Sequence, residues 1–244
     1  MKSLFSLPQT SLNKKIRLIT TFSGIGSQEM AMKEIGADFE IYRAVEFDKD
    51  AIKSYNAIHG TDFPVLDICN VHGKDLGIVE KDKYNYIFVY SFPCTSLSVA
   101  GKMEGMKEGS ETASSLLWEV KRIIDELSSD ELPDILLMEN VPQVHSEANL
   151  SEFEKWIDYL RSRGYYTHYQ DLNAKDFGIP QNRERCFCVS ILSDKFVNFE
   201  FPKPIPLKYV MKDFLEDEVD EKYFLRNEKA QKLIDQLISE GKLE

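Results

Sequence analysis

Ile16-Arg17-Leu18-Ile19-Thr20-Thr21-Phe22 runs directly into Ser23-Gly24-Ile25-Gly26-Ser27, and this stretch decides the architecture. The apolar run reads as a strand, and the two glycines let the backbone turn tightly and approach a ligand closely. A helical pattern over 25–36 follows. Working outward, short apolar runs at 40–45, 86–90, 134–138 and 186–192 read as further strands, and 48–58, 114–128 and 150–163 as helices. This alternation predicts βαβ units on a mostly parallel sheet, a doubly wound α/β fold. In the 114–128 segment Leu116, Leu117, Val120, Ile123, Ile124 and Leu127 recur at spacings of three and four, the stripe of a core-facing helix.

At 244 residues and 43% hydrophobic content the chain fills one large domain, expected over 1–200. Phe201-Pro202-Lys203-Pro204-Ile205-Pro206 cannot sit in a central strand and reads as a linker. Residues 201–244 are then a linker and a helical tail, with two short helices in 208–244. Cys69, Cys94, Cys186 and Cys188 show no CxxC spacing, which favours a reducing, cytoplasmic compartment. No apolar segment has signal-peptide or membrane-spanning length, so no membrane partner is expected. A net charge of −11 argues against a wholly nucleic-acid-binding surface but allows a local basic cleft. His59, His72, His145 and His168 are scattered along the chain, and no metal is assigned.

In open α/β sheets ligands bind outside the carboxyl ends of the strands, so those ends hold the candidate site. Ser91-Phe92-Pro93-Cys94 follows the run Tyr86-Ile87-Phe88-Val89-Tyr90 and leads into the small-residue stretch Thr95-Ser96-Leu97-Ser98-Val99-Ala100-Gly101. From position alone Cys94 reads equally as a nucleophile or as an inert buried thiol. Glu46 ends the second strand about twenty residues past the glycines, where an acid accepts from ribose hydroxyls. Phe47 offers a ring to stack on a base, and Asp67 an acceptor for an exocyclic amine. Glu29 stands where a dinucleotide fingerprint wants a small residue, which counts against NAD or FAD.

With these residues placed, the chain resembles the cytosine-C5 DNA methyltransferases. Thr21-Phe22-Ser23-Gly24-Ile25-Gly26 looks like the family's first motif, Glu46 its second, Asp67 its third, and Ser91 to Gly101 its proline-cysteine loop. Met138-Glu139-Asn140-Val141 is similar to the glutamate-asparagine-valine motif, and Gln181-Asn182-Arg183-Glu184-Arg185 to the glutamine-x-arginine-x-arginine motif. The resemblance implies a Rossmann-like methyltransferase fold that uses S-adenosylmethionine, held by Phe22, Ser23, Gly24, Ile25, Gly26, Glu46, Phe47, Asp67, Ile68 and Pro93. It implies a cytosine flipped out of double-stranded DNA, acted on by Cys94, Glu139, Arg183 and Arg185, with Ser98 and Gln181 supporting the substrate loop. Chemistry asks for the same residue types. Addition of the Cys94 thiolate to C6 makes C5 able to attack a sulfonium methyl, and the density pushed onto N3 calls for a donor such as Glu139. By the same resemblance Arg185 is expected at the base O2. Arg183 is expected on the opposite strand face, organising the loop or a phosphate. Residues 101–111, GKMEGMKEGSE, read as a glycine-punctuated mobile segment, either a lid over an extruded base or a plain surface loop with Lys102 and Lys107 solvated.

The chain departs from the family pattern at Thr95 and Leu97, where many relatives carry glutamine and phenylalanine, and more widely beyond residue 200, where neither a target-recognition domain nor the closing motifs are recognisable. The expectation is that target choice resides elsewhere, on a second polypeptide for example. A tRNA cytosine-C5 methyltransferase and a non-catalytic cofactor-binding subunit are the alternative readings.

Overall fold

The computed structural model describes residues 14–97, 105–224 and 227–242. Six strands, β1 (Lys15–Thr21), β2 (Phe39–Val45), β3 (Tyr84–Tyr90), β4 (Ile135–Asn140), β5 (Tyr165–Asn173) and β6 (Glu184–Leu192), form one sheet in the order β2-β1-β3-β4-β6-β5. The first four lie parallel, and β6 runs antiparallel to both its neighbours. The carboxyl ends of β1 to β4 therefore share one edge with the start of β6.

Four helices accompany the sheet in the chain order expected: α1 (Ser27–Glu34), α2 (Lys49–His59), α3 (Leu117–Asp125) and α4 (Leu150–Ser162). Asp48 caps α2 by accepting from the amides of Asp50 and Ala51, and Gly60 ends it in the left-handed conformation. The predicted stripe on α3 is its core face, with Leu117, Val120, Ile123 and Ile124 fully buried. These pack with Phe88, Tyr90, Leu136, Met138 and Trp156 into the larger core. Ile135, Val189, Ile191, Val197 and Phe199 fill a smaller one.

Trp156 is fully buried on α4, donates its indole N–H to Tyr90 Oη at 3.1 Å and stacks on Tyr159 at 5.5 Å. Trp156→Ala should therefore cost about 3–5 kcal/mol, read as a lowered urea midpoint with an unchanged slope. A loss below about 1 kcal/mol would show that this core repacks.

Two expectations need correction. β5 has no apolar run to announce it; Tyr165-Tyr166-Thr167-His168-Tyr169 is a half-exposed edge strand whose aromatic and β-branched residues pair with β6. Among the described residues beyond 200, the chain carries one helix, α5 (Glu228–Ser239), and short 3-10 turns at Met211–Phe214 and Glu221–Tyr223, where two short helices are expected. Packing also continues past residue 200, since Phe201 lies against the smaller core and Ile205 bridges to Phe177. Beyond it Met211, Phe214, Leu215 and Tyr223 stand exposed.

Candidate active site

The order β2-β1-β3 places a topological switch point between β1 and β3, and the segments leaving these two strands form the site. After β1, Phe22 takes φ +55, a left-handed conformation uncommon for a bulky non-glycine residue. Gly24 and Gly26 follow at φ +55 and +83. A Cβ on Gly26 would lie 2.1 Å from His59 Nε2, which itself bonds the Ile25 carbonyl at 3.0 Å. Ser23 is buried, its hydroxyl 3.0 and 3.1 Å from the carbonyl oxygens of Thr20 and Val45 and its amide donating to Val45 at 3.2 Å, tying the turn to β2. Glu29 lies fully buried beneath, accepting from Thr20 Oγ1 at 2.9 Å and Tyr55 Oη at 2.7 Å. The residue that breaks the dinucleotide fingerprint is thus a hub joining α1, β1 and α2.

A cavity of about 420 Å³ opens at this edge, lined by Phe22, Val45, Glu46, Phe47, Leu66, Asp67, Ile68, Cys69, Pro93 and Leu116. Its size falls within the range of roughly 300–1,000 Å³ common for small-molecule sites. Phe22, Glu46, Phe47, Asp67, Ile68 and Pro93, all among the candidate residues, line it. Ser23, Gly24, Ile25 and Gly26 do not; they shape the wall behind it. Glu46 Oε2 accepts from Gly24 N at 2.7 Å and Oε1 from Asp48 N at 2.8 Å, so its carboxylate is fixed with lone pairs to spare. Asp67 caps the 3-10 turn Ile68–Asn70 through Cys69 N at 3.0 Å, and Phe47 is 72% exposed, its ring free to take a partner. Partial desolvation, with Asp67 beside it, pushes the Cys69 thiol up. Leu116 was legible only as part of the helical stripe, and nothing in its spacing separates a cavity wall from core.

Arg122 on α3 holds the far side of the cavity, donating to the carbonyls of Ile68 at 3.1 Å and Val71 at 2.8 Å. Glu119 and Glu126 flank the guanidinium. The Glu126 carboxyl is held down at about 2 by the Gly73 amide first, then by His72 and Arg122. It stays ionised through the neutral range and keeps the turn after Asp67 seated on α3.

Pro93 lines the cavity, and Cys94, half-buried, is the next residue. Its loop reaches β4 through Asn140, whose Nδ2 donates to the Phe92 carbonyl at 2.9 Å. Glu139, beside Asn140, sits one position past the Tyr90–Met138 pair that aligns β3 with β4. Arg185 Nε approaches Glu139 Oε1 at 3.1 Å and Arg183 Nη2 the same oxygen at 3.8 Å. The two arginines converge on one carboxylate, which overturns the expectation of opposite faces. Side chains two apart along a strand share a face, and Arg183 precedes the first paired residue, Glu184. Its amide donates to the Gln181 carbonyl at 2.9 Å and to Asn173 Oδ1 at 3.1 Å. Gln181 thus supports Arg183 through its backbone. Asn173, an unforeseen member, braces the turn.

Ser98 and residues 101–104 lie outside the described residues. The rest of the expected mobile segment, 105–111, is tied down: Met106 is buried, its carbonyl accepts from Trp118 Nε1 at 2.8 Å, and Gly105 N donates to the Ser96 carbonyl at 3.0 Å. Nearby His145, Asp171 and Cys186 bring possible ligand atoms within 4.8 Å of one another. His145 Nε2 already contacts the Asp171 carboxylate at 2.9 and 3.1 Å, and burial pushes the Cys186 thiol far up. This cluster braces the turn after Glu139 against β5 and β6.

Residues 16–241 match the family described as C-5 cytosine-specific DNA methylase. The chain is 35% identical to the type II methyltransferase M2.ScrFI of Lactococcus lactis subsp. cremoris, over 87% of this chain and 71% of that protein. It is 32% identical to the orphan methyltransferase M.SssI of Spiroplasma monobiae, over 88% of this chain and 68% of that one. Its fold matches that of the S. pombe Dnmt2 methyltransferase with a TM-score of 0.70 at 22% identity, covering 91% of this chain and 66% of that one. The chain thus spans about two thirds of the length of the proteins it matches. Among the described residues no helix is long and apolar enough to cross a membrane.

Proposed function

Because the chain belongs to the C-5 cytosine-specific DNA methylase family, we propose that it transfers a methyl group from S-adenosylmethionine to C5 of a cytosine extruded from double-stranded DNA. One observation carries this reading. Pro93 lines the cavity, Cys94 follows it, and the loop they share is bonded to the strand that ends in the arginine-paired Glu139. A methyl donor in the cavity and a base at the thiol would meet across a single residue.

The cavity residues suit that donor. The fixed carboxylate of Glu46 has lone pairs left for ribose hydroxyls, the exposed ring of Phe47 can cover an adenine face, and Asp67 can accept from its amine. When bound, S-adenosylmethionine supplies an electrophilic methyl group on a sulfonium. The chain's own residues do the rest. The Cys94 thiolate adds to C6 and sends an electron pair towards C5, while the carboxyl of Glu139, in its protonated form, donates its proton to N3 as density grows there. Arg185 and Arg183, both on Glu139 Oε1, hold the carboxyl in place. Once C5 is methylated, its proton passes to a water molecule acting as base, the C5–H electron pair re-forms the C5–C6 double bond and expels the Cys94 thiolate, and N3 returns its proton to Glu139, which regenerates the pyrimidine. We assign target choice to a further domain, on this or a second polypeptide, in keeping with the greater length of the relatives, and a cytoplasmic setting, in keeping with four unpaired cysteines. The relatives' names favour a restriction-modification or orphan methyltransferase role.

The test is transfer of a labelled methyl group to double-stranded DNA and, in parallel, to tRNA, with digestion to nucleosides. The expected product is 5-methyldeoxycytidine. Label in tRNA alone would move the substrate class to RNA. Cofactor binding with no transfer to either, even with a supplied recognition domain, would reduce the chain to a binding subunit.

A further inference from the structure

Resting on that reading, we propose that Ser114 is a positioning residue for Cys94. Ser114 lies in the 3-10 turn Ala113–Leu116 that leads into α3, with no exposed surface. A buried hydroxyl is costly unless bonded, and this one donates to the Pro93 carbonyl at 2.7 Å. The peptide between Pro93 and Cys94 is planar, so orienting that carbonyl orients the Cys94 amide and the direction in which its side chain leaves.

The bond belongs to a set. Three consecutive carbonyls are held, that of Phe92 by Asn140 Nδ2 at 2.9 Å, that of Pro93 by Ser114, and that of Cys94 by Leu97 N at 3.0 Å. Asn140 reaches from β4 and Leu97 from within the loop, so Ser114 is the group that fixes the nucleophile from the α3 side. Two residues further, Leu116 lines the cavity. One short turn therefore contacts both the nucleophile's backbone and the wall of the donor's pocket, and it sets their relative position. No signal in the sequence marks Ser114, because a serine before an apolar helix reads as an ordinary cap.

The test compares wild type with Ser114→Ala, which removes the hydroxyl at nearly constant volume, and with Ser114→Thr, which keeps it. Cys94 alkylation by iodoacetamide is followed by peptide mass across a pH series, with exposed Cys69 as internal reference. In parallel, adduct formation is timed on DNA substituted with 5-fluorodeoxycytidine, and S-adenosylhomocysteine affinity is measured by calorimetry. In the alanine variant the freed loop should let Cys94 alkylate about fivefold faster at unchanged Cys69 rate, while adduct formation slows by about ten- to a hundredfold. Affinity for S-adenosylhomocysteine should hold within about twofold, and threonine should restore adduct formation. Unchanged Cys94 alkylation in Ser114→Ala would overturn the assignment. So would parallel changes at Cys94, Cys69 and the cofactor pocket, which mark general loosening. If wild type itself forms no adduct even with a supplied recognition domain, the methyltransferase reading fails, while the alkylation series still decides the role of Ser114.

Discussion

Cys94→Ser is expected to lower methyl transfer by on the order of a thousandfold or more, with cofactor affinity and thermal stability essentially unchanged. The reasons are local. A hydroxyl at this position is hardly ionised near neutral pH, and the reaction needs an anionic nucleophile at C6. Oxygen for sulfur is a small steric change at a half-buried position, and the backbone is held by bonds to the carbonyls of Phe92, Pro93 and Cys94 that the substitution leaves intact. Single-turnover transfer of a labelled methyl group measures the first quantity and calorimetry with S-adenosylhomocysteine the second. A serine variant retaining more than about a tenth of the wild-type rate would show that the thiol does not carry the reaction. A variant that lost cofactor binding as well would show instead that the loop supports the cavity.

Glu139→Ala should have the next largest effect, a loss of about 10²–10⁴ in the rate of methyl transfer, the usual scale for removing a positioned acid or base. The structure adds a second cost. Glu139 is the shared partner of Arg185 and Arg183, and Arg185 is only 21% exposed on its side chain. Truncation leaves a largely shielded guanidinium unpaired, so the arginines should shift as well as the donor disappear. Glu139→Gln separates the two contributions. It keeps the length and one acceptor but turns an amide group towards the arginines, and it should fall between wild type and alanine. Adduct formation on fluorocytosine DNA should fall in step with methyl transfer, because N3 must be met when the thiol adds. If methyl transfer fell while adduct formation stayed at the wild-type rate, Glu139 would act after addition and its proposed role would be wrong.

The arginine pair shows where reading a sequence meets its limit. Gln181-Asn182-Arg183-Glu184-Arg185 is visible as a motif, but the convergence of its two arginines depends on which strand β6 pairs with and in which direction. Antiparallel pairing with β4 sets Phe187 opposite Glu139, which brings the start of one strand to the end of another. No local pattern encodes that. β5 was illegible for a related reason: an edge strand with one neighbour is half-exposed, so its residues need not form the apolar run that marks a central strand. The segment after the thiol loop follows the same logic. Glycines and charges in 105–111 suggest mobility, yet burial of Met106 and the bond from Trp118 to its carbonyl are supplied by α3.

The α/β alternation, the glycine turn after β1, the order of the acidic and thiol-bearing strand ends and the family resemblance are all legible in the residues alone. Each of these rests on periodicity or on residue type at short range, where the chain's own stereochemistry is decisive. Only the tertiary structure decided that Phe22 adopts a left-handed turn, that Glu29 is a core hub, that both arginines meet Glu139, and that Ser114 and Arg122 clamp the two halves of the site to α3. Each of those joins residues far apart in the chain through burial and directional hydrogen bonds, and such contacts exist only once the sheet has set the register.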